Sequence, residues 1–320
     1  MTSGTAGGTE ALAVPKGDVK FTISKEHAPV ATVAPGARLR IETELNIGDV
    51  LHSVDEPFAA EMVNIPFVNG ATGPIEVEGA TTEYVLVCDI EEIELVPPGF
   101  TALVPGFGPF TDWIRRRDFG VQSRVVDVDG GEVVWDERTR IPVQPMIGVI
   151  ATAPLLEAVS TIDNGPHGGN IDVQEVAPGT RLYLPVAVPG ALFFLGDCHA
   201  VQGDGELCGI GAIEIRTHTT VRLDLAERPG RMRWPRFETA EHLGTIACAK
   251  PLEDAFRLAV EELVYWMADD YGFEEHEAIL LLGQVAEARC TQLANPKYTY
   301  VAKIAKRYLQ FPKGVSSARA

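Results

Sequence analysis

"ALFFLGDCHAVQGDGELCGIGAIEIRTHTTVRLDL", residues 191–225, sets two apolar, strand-like runs on either side of a polar, glycine-rich interruption. Residues 196–214 alone hold Asp197, His199, Gln202, Asp204, Glu206 and Glu214 together with five glycines. Glycine weakens a strand, and acidic groups beside apolar runs are costly to bury without partners. The segment is therefore either an exposed hairpin tip or a site. If "ALFFLGDCHA" is extended, Asp197 and His199 project from one face and Cys198 from the other. An aspartate and a histidine converging on one face can ligate a divalent metal or orient each other for proton transfer. The turn "QGDGE" would return the chain so that Glu206 approaches His199. Glu214 lies eight residues further on, about 26 Å along a straight strand at roughly 3.3 Å per residue. Glu206 and Glu214 can then share one small site only if the chain bends, and Gly209 and Gly211 are where it would.

Working outward, strand patterns dominate. "VKFTISKEHAPVATVAPGARLRIETELN" alternates apolar and polar residues around a Pro35-Gly36 turn, and "GPIEVEGATTEYVLVCDIEEIEL" repeats the pattern. Residues 97–150 are rich in proline, glycine and aromatics before a turn at Asp129-Gly130-Gly131. The last quarter changes period: Leu252, Ala255, Phe256, Ala259, Val260, Leu263, Val264 and Met267 fall at helical spacing behind a first-turn proline. A second helix is expected over about 274–290, and "YVAKIAKRYL" reads as a third helical piece. The fold class is mainly β with a C-terminal α+β portion. The expected division is a flexible lead-in over 1–17, a β-rich catalytic region over 18–245 with a sub-boundary near 97–150, and an α+β region over 246–320.

Composition excludes several functions. The 320 residues carry 27 basic and 45 acidic side chains, a formal net charge of −18, which disfavours a nucleic-acid partner. Arg115, Arg116, Arg117 and Arg124 are too few to reverse that balance. No run is long and apolar enough to span a membrane. "MTSGTAGGTEALAVP" lacks a basic n-region and an apolar h-region, so no secretory signal is expected there. Five cysteines, an odd number at irregular spacing without a CxxC pair, fit reduced thiols and a cytoplasmic setting. Gly203, Gly205 and Gly209 do not make a phosphate loop, and no basic residue follows them.

Two further segments carry chemistry. In "NGPHGGNID", residues 164–172, consecutive glycines let backbone N–H groups approach a ligand, and His167 and Asn170 can donate to an amide carbonyl or an oxyanion. In "GPIEVEGA", residues 73–80, Glu76 and Glu78 share one strand face.

Taken in order, "TGPIEVEGA" (72–80), "PMIGVIATAP" (145–154), "GPHGGNID" (165–172), the block from 182 to 214 and the helix from "KPLEDAFRLAV" resemble the acetamidase/formamidase family from about residue 20 to 310. The resemblance implies hydrolysis of a small linear amide to a carboxylate and ammonia, sandwich- and barrel-like β parts, and a homo-oligomer. Asp197, His199, Gln202, Glu206, Glu214, His167, Gly168, Gly169, Asn170 and Asp172 match the family's motifs. The chain departs at Thr81-Thr82-Glu83, where the family has a Glu-Pro-Gly-Asp type of turn. It departs again in "IETELNIGD", where Glu44 or Asn46 stands for an aspartate.

An unactivated amide needs a strong nucleophile, charge stabilisation and a proton for the leaving nitrogen. A divalent metal, zinc by its mixed O/N donors with calcium or manganese as alternatives, is expected on Asp197, His199 and one of Glu214 or Glu206. Glu214 is assigned to the metal and Glu206 to general base and acid. His167 with the Gly168-Gly169 backbone is assigned to the oxyanion, and Gly168, Gly169, Asn170, Gln202 and Glu78 to substrate binding. Phe107, Phe110, Trp113, Phe193 and Phe194 are candidate pocket walls. Rival readings are a Cys198 nucleophile acting on another small C–N substrate, and a non-catalytic binding protein on the same scaffold.

Overall fold

The computed structural model describes residues 10–309. Residues 1–9 of the expected lead-in and the last residues, from 310, lie outside them; within the lead-in, Leu12–Val14 pairs in parallel with Ala37–Thr43. Among the described residues, eighteen strands join one sheet whose long members bend and change partners, giving a curled, sandwich-like β body. No helix among them is long and apolar enough to cross a membrane.

The strand that organises the molecule is Phe193–Gln202, buried along nearly its whole length. It lies antiparallel to Met146–Thr152, to Ala71–Val77 and to Gly209–Glu227. Gly209–Glu227 in turn pairs with Ala37–Thr43 and with the long strand Tyr84–Leu103. That strand runs through Pro97 and Pro98, into the segment rich in proline, glycine and aromatics, and only beyond it comes the short helix Thr111–Arg117. Isoleucine, leucine, valine and phenylalanine from these strands form the main core, including Leu39, Ile41, Ile75, Leu86, Ile150, Leu182, Phe193, Leu195, Val221 and Phe237.

The C-terminal part corrects two expectations. The helix Leu252–Tyr271 forms, with Pro251 just before it and Gly272 ending it at φ 70°. Its buried face, with Ala259, Leu263, Trp266 and Met267, packs on Leu243, Ala247, Ala302 and Ile304. The following helix, however, stops at Val285, and Glu287–Gln292 is a strand. "YVAKIAKRYL" is not helical: Tyr298–Ala305 is a strand and Lys306–Tyr308 a single 3-10 turn. Val301 and Ile304 have a helical spacing, but Tyr298–Ala305 is paired on both sides, with His242–Ala249 and with Glu287–Gln292. Cross-strand pairing, together with the strand preference of Tyr298, Thr299, Tyr300, Val301 and Ile304, overrides the helical preference of Ala302, Lys303 and Ala305.

Candidate functional site

The two strands of the opening segment meet with His199 directly opposite Glu214. The pairing register slips between His199 and Gln202, so the strands are bulged where the acidic residues converge. The chain between them does not run straight: residues 203–208 fold back over Gly211, where a Cβ would lie 2.8 Å from the Cγ and carbonyl carbon of Glu206. This settles the distance problem, because Glu206 and Glu214 line one pocket. Asp197 and His199 also converge, with Oδ1 and Nε2 3.7 Å apart, while His199 Nε2 lies 3.3 Å from Glu214 Oε2. Asp172 joins from the "GPHGGNID" segment, and Asp172, Asp197 and His199 each offer a ligand atom within 4.8 Å of the others. These two carboxylates cross over Gly148, whose absent side chain leaves room for them: a Cβ there would stand 2.7 Å from Asp172 Oδ1 and 2.8 Å from Asp197 Oδ2.

Three of the acids occupy backbone conformations that L-residues seldom adopt. Asp172, Asp197 and Glu206 have φ of 46°, 51° and 46°. Strain of this kind concentrates at functional sites, where the surrounding structure over-determines it.

All of these groups are buried, between 1% exposed for Asp172 and 8% for Glu206. Burial pushes the Asp172 and Glu214 carboxyls up to about 7, the neighbouring Asp197 charge adding to the effect and His199 opposing it. Glu206 is raised well above the usual carboxylate range by burial and then by the charges of Asp172 and Glu214. For His199 burial acts downward, but the Glu214 and Asp197 carboxylates outweigh it and hold the imidazole well above its ordinary value. Asp197 Oδ1, His199 Nδ1 and Nε2, Glu206 Oε2 and Glu214 Oε2 are all buried without a hydrogen-bond partner among the described residues. So many orphaned donors and acceptors in one place are a demand for a ligand.

Side-chain amides frame the cluster. Asn170 satisfies its neighbours when its nitrogen faces the acids, donating to Asp197 Oδ2 at 3.1 Å and Asp172 Oδ2 at 3.2 Å. Its oxygen then accepts from Asn69 at 2.9 Å and from Asn295 at 3.1 Å. Asn295 also donates to Asp172 Oδ2 at 3.2 Å and to the Asn170 carbonyl at 2.9 Å. The pocket above them is lined by Asn46, Asn69, Asn170, Asn295, Asp197, Glu206 and Glu214 on its polar side. Ile47, Val63, Ile65, Val68, Phe107, Ile162 and Ile210 make its apolar side.

Apart from Phe107, the remaining expected residues do not line the pocket. His167 is 8% exposed, with Nε2 unpartnered, and is not among the pocket-lining residues. Burial and then Lys297 push its imidazole down to about 4, with Asp163 opposing, so it stands neutral beside the Lys297–Asp163 pair. Gly168 and Gly169 allow close backbone passage, at 2.2 Å from the Ile150 carbonyl and 2.5 Å from the Asp163 carbonyl to a Cβ that neither carries. Gln202 is buried and donates to the Thr291 carbonyl at 3.3 Å. Glu78 is exposed just beyond Ala71–Val77. Of the candidate walls, Phe107 lines the pocket, Phe193 and Phe194 are wholly buried in apolar clusters, and Phe110 and Trp113 are exposed. Cys198 points away from the acids, its Sγ 3.9 Å from Thr219 Oγ1 in the core, and burial raises its thiol pKa. Sequence reasoning gave Asn69, Gly148 and Asn295 no role: Asn69 sits in a loop just before Ala71–Val77, Gly148 is one glycine within the apolar run 145–154, and Asn295 arrives from 93 positions beyond Gln202 in a loop that nothing local links to the acids.

Comparisons with other proteins cover the same part of the chain. The profile described as the Acetamidase/Formamidase family matches residues 155–295, which include His167, Asp172, Asp197, His199, Glu206, Glu214 and Asn295. The acetamidase of Mycolicibacterium smegmatis is 28% identical over 254 residues, 61% of this chain and 63% of that protein, so the match spans less than two thirds of that relative. The crystal structure of an acetamidase from Yersinia enterocolitica superposes with a TM-score of 0.88 at 34% identity, covering 94% of this chain and 93% of that one. A Bacillus halodurans acetamidase structure gives 0.87 at 32% identity, covering 93% and 98%. With nearly the full fold shared at 34% identity, the chain belongs to the acetamidase/formamidase family.

Proposed function

We propose that the chain hydrolyses the C–N bond of a small linear amide, releasing a carboxylate and ammonia, in the pocket above Asp172, Asp197, His199, Glu206 and Glu214. The observation that carries this reading is the set of buried, unpartnered atoms on Asp197, His199, Glu206 and Glu214 beside an apolar wall. The names of its relatives, acetamidases, support the substrate class.

A divalent cation fits the donor set. Asp172, Asp197 and His199 would hold it, with the Glu214 carboxylate beside His199. Two carboxylates and an imidazole suit zinc, and calcium or manganese gain if carboxylate oxygens dominate. When bound, such a cation polarises a carbonyl and brings the pKa of water to about 7. Asn170 and Asn295 hold the Asp172 and Asp197 carboxylates in place through their amide N–H groups. Glu206, buried and with a free Oε2, takes the proton of the attacking water and returns it to the leaving nitrogen. His167 and the Gly168-Gly169 backbone act one layer behind the pocket, seating Asn170 and Asp172 on the Met146–Thr152 strand. The apolar residues around Phe107 exclude water from the acyl side. All five cysteines are unpaired, which supports a reducing, cytoplasmic setting. The exposed Phe110, Trp113 and Phe119 group supports a homo-oligomer.

The test is ammonia release from formamide, acetamide and propionamide, with metal content measured, before and after exhaustive chelation. Release that chelation abolishes and zinc restores is the expected result. A metal-loaded protein that releases ammonia from none of the three would overturn the reading.

A further inference from the structure

Asn46 belongs neither to the carboxylate cluster nor to the amides that hold it. It lines the pocket, is 7% exposed, and its Oδ1 is buried without a hydrogen-bond partner among the described residues. The residue is rigidly placed. It sits in a tight turn closed by Gly48 N–H donating to the Leu45 carbonyl at 2.9 Å. Leu45, Ile47 and Leu51 anchor that turn in an apolar cluster with Phe100 and Ile210. Arg216 fastens its far side, donating to the Leu51 carbonyl at 3.0 Å and to the Val50 carbonyl. On the near side Asn69 N–H donates to the Asn46 carbonyl at 2.6 Å, and the Asn69 side chain reaches Asn170, which touches Asp197. Asn46 therefore stands at the outer end of a ladder of amides that begins on the acids, and its free oxygen is an acceptor in a preorganised wall.

Among the described residues, setting aside Asp197 Oδ1 and Glu214 Oε2, which lie beside His199, the other free acceptor on the pocket is Glu206 Oε2. Two separate acceptors call for a group with two N–H donors, and the NH2 of a primary amide has them. We propose that Asn46 Oδ1 accepts one N–H of the substrate amide while the other faces Glu206, and that this makes the enzyme select primary amides over N-substituted ones. The inference rests on the amidase reading above and deepens it. As the carbonyl carbon becomes tetrahedral and the nitrogen pyramidal, an N–H held by Asn46 keeps the nitrogen lone pair turned to the proton on Glu206. An N-methyl amide has one N–H, so one buried acceptor is left unpaired, a loss of roughly 10- to 100-fold in kcat/KM.

The experiment compares acetamide with N-methylacetamide, the latter followed both by methylamine release and as a competitive inhibitor of acetamide turnover. Wild type, Asn46→Ala and Asn46→Asp are measured, with melting temperatures to establish folding. Ammonia release from acetamide by the wild type tests the amidase reading itself. Asn46→Ala should lower kcat/KM for acetamide roughly 10- to 100-fold and leave the affinity for N-methylacetamide within about threefold, so that selectivity collapses. Asn46→Asp, which keeps an acceptor of the same shape, should keep the selectivity. An alanine variant that melts like the wild type and retains its preference for acetamide would overturn the proposal while leaving the amidase reading intact. Equal loss toward both compounds would overturn it too, since that outcome marks a general structural role.

Discussion

Replacing Gly148 by alanine adds one methyl group at the point where two carboxylates of the site cross. The new Cβ would stand 2.6 Å from the Asp197 carbonyl oxygen, 2.7 Å from Asp172 Oδ1 and 2.8 Å from Asp197 Oδ2. To regain an ordinary contact of 3.4 Å, these atoms must retreat by about 0.6–0.8 Å. The backbone at 148 is not left-handed, so alanine brings no conformational penalty of its own. Overpacking should cost about 1–3 kcal/mol of stability. The larger effect is on geometry, because any retreat of Asp172 and Asp197 from the methyl alters their placement relative to His199. A displacement approaching 1 Å at a reacting centre costs about 100-fold in rate, or roughly 2.7 kcal/mol of barrier. The assay is kcat/KM for acetamide together with bound metal per chain, on protein shown by melting to be folded. A Gly148→Ala enzyme with full metal content and kcat/KM within threefold of wild type would refute the idea that these carboxylates form the working site.

Two other perturbations probe neighbouring claims. His167 binds its proton only near pH 4 in the folded protein, against about 6.5 in an unfolded chain, so acid favours unfolding: this contribution is intact above pH 6.5, is lost between 6.5 and 4, and is constant below. The loss amounts to roughly 3 kcal/mol, and the difference in unfolding free energy between wild type and His167→Gln should shrink by that amount across the window in urea titrations; a pH-independent difference would contradict it. Cys198→Ala should leave kcat/KM within twofold and lower stability by roughly 1 kcal/mol, since Cys198 faces the core; a folded variant without activity would restore the thiol as nucleophile.

The legible parts of this protein are those where chemistry and spacing coincide locally. The pairing of Asp197 with His199 was suggested by their spacing of two on a strand, although Asp197 reaches it from a left-handed backbone conformation that the spacing does not announce. Pro251 and Gly272 bracket the long helix as its sequence implies. The stretch from Tyr298 to Ala305 reads two ways, since Ala302, Lys303 and Ala305 favour a helix while Tyr298, Thr299, Tyr300, Val301 and Ile304 favour a strand, and pairing with two distant strands decides it. The same holds in the site. Asp172 lies in a recognisable motif, but its place beside Asp197 depends on the Gly148 gap on a third strand. Asn295 stabilises Asp172 from a loop with no signature, and the return of Glu206 over Gly211 is a matter of backbone shape.

The Phe193–Gln202 strand, paired with Met146–Thr152, Ala71–Val77 and Gly209–Glu227, has a consequence for how the protein ages under heat. Asp197 and His199 are not at a free strand end, because Gly196, Cys198 and His199 on either side of Asp197 are paired into the interior of the sheet. Their backbone hydrogens should exchange with solvent only as fast as the whole domain opens. Substrate traffic then falls to the rim, where Val63, Ile65, Phe107 and Ala294 border the pocket outside that sheet interior. Warming the protein should leave turnover rising until the sheet itself gives way, with activity and fold disappearing in a single step.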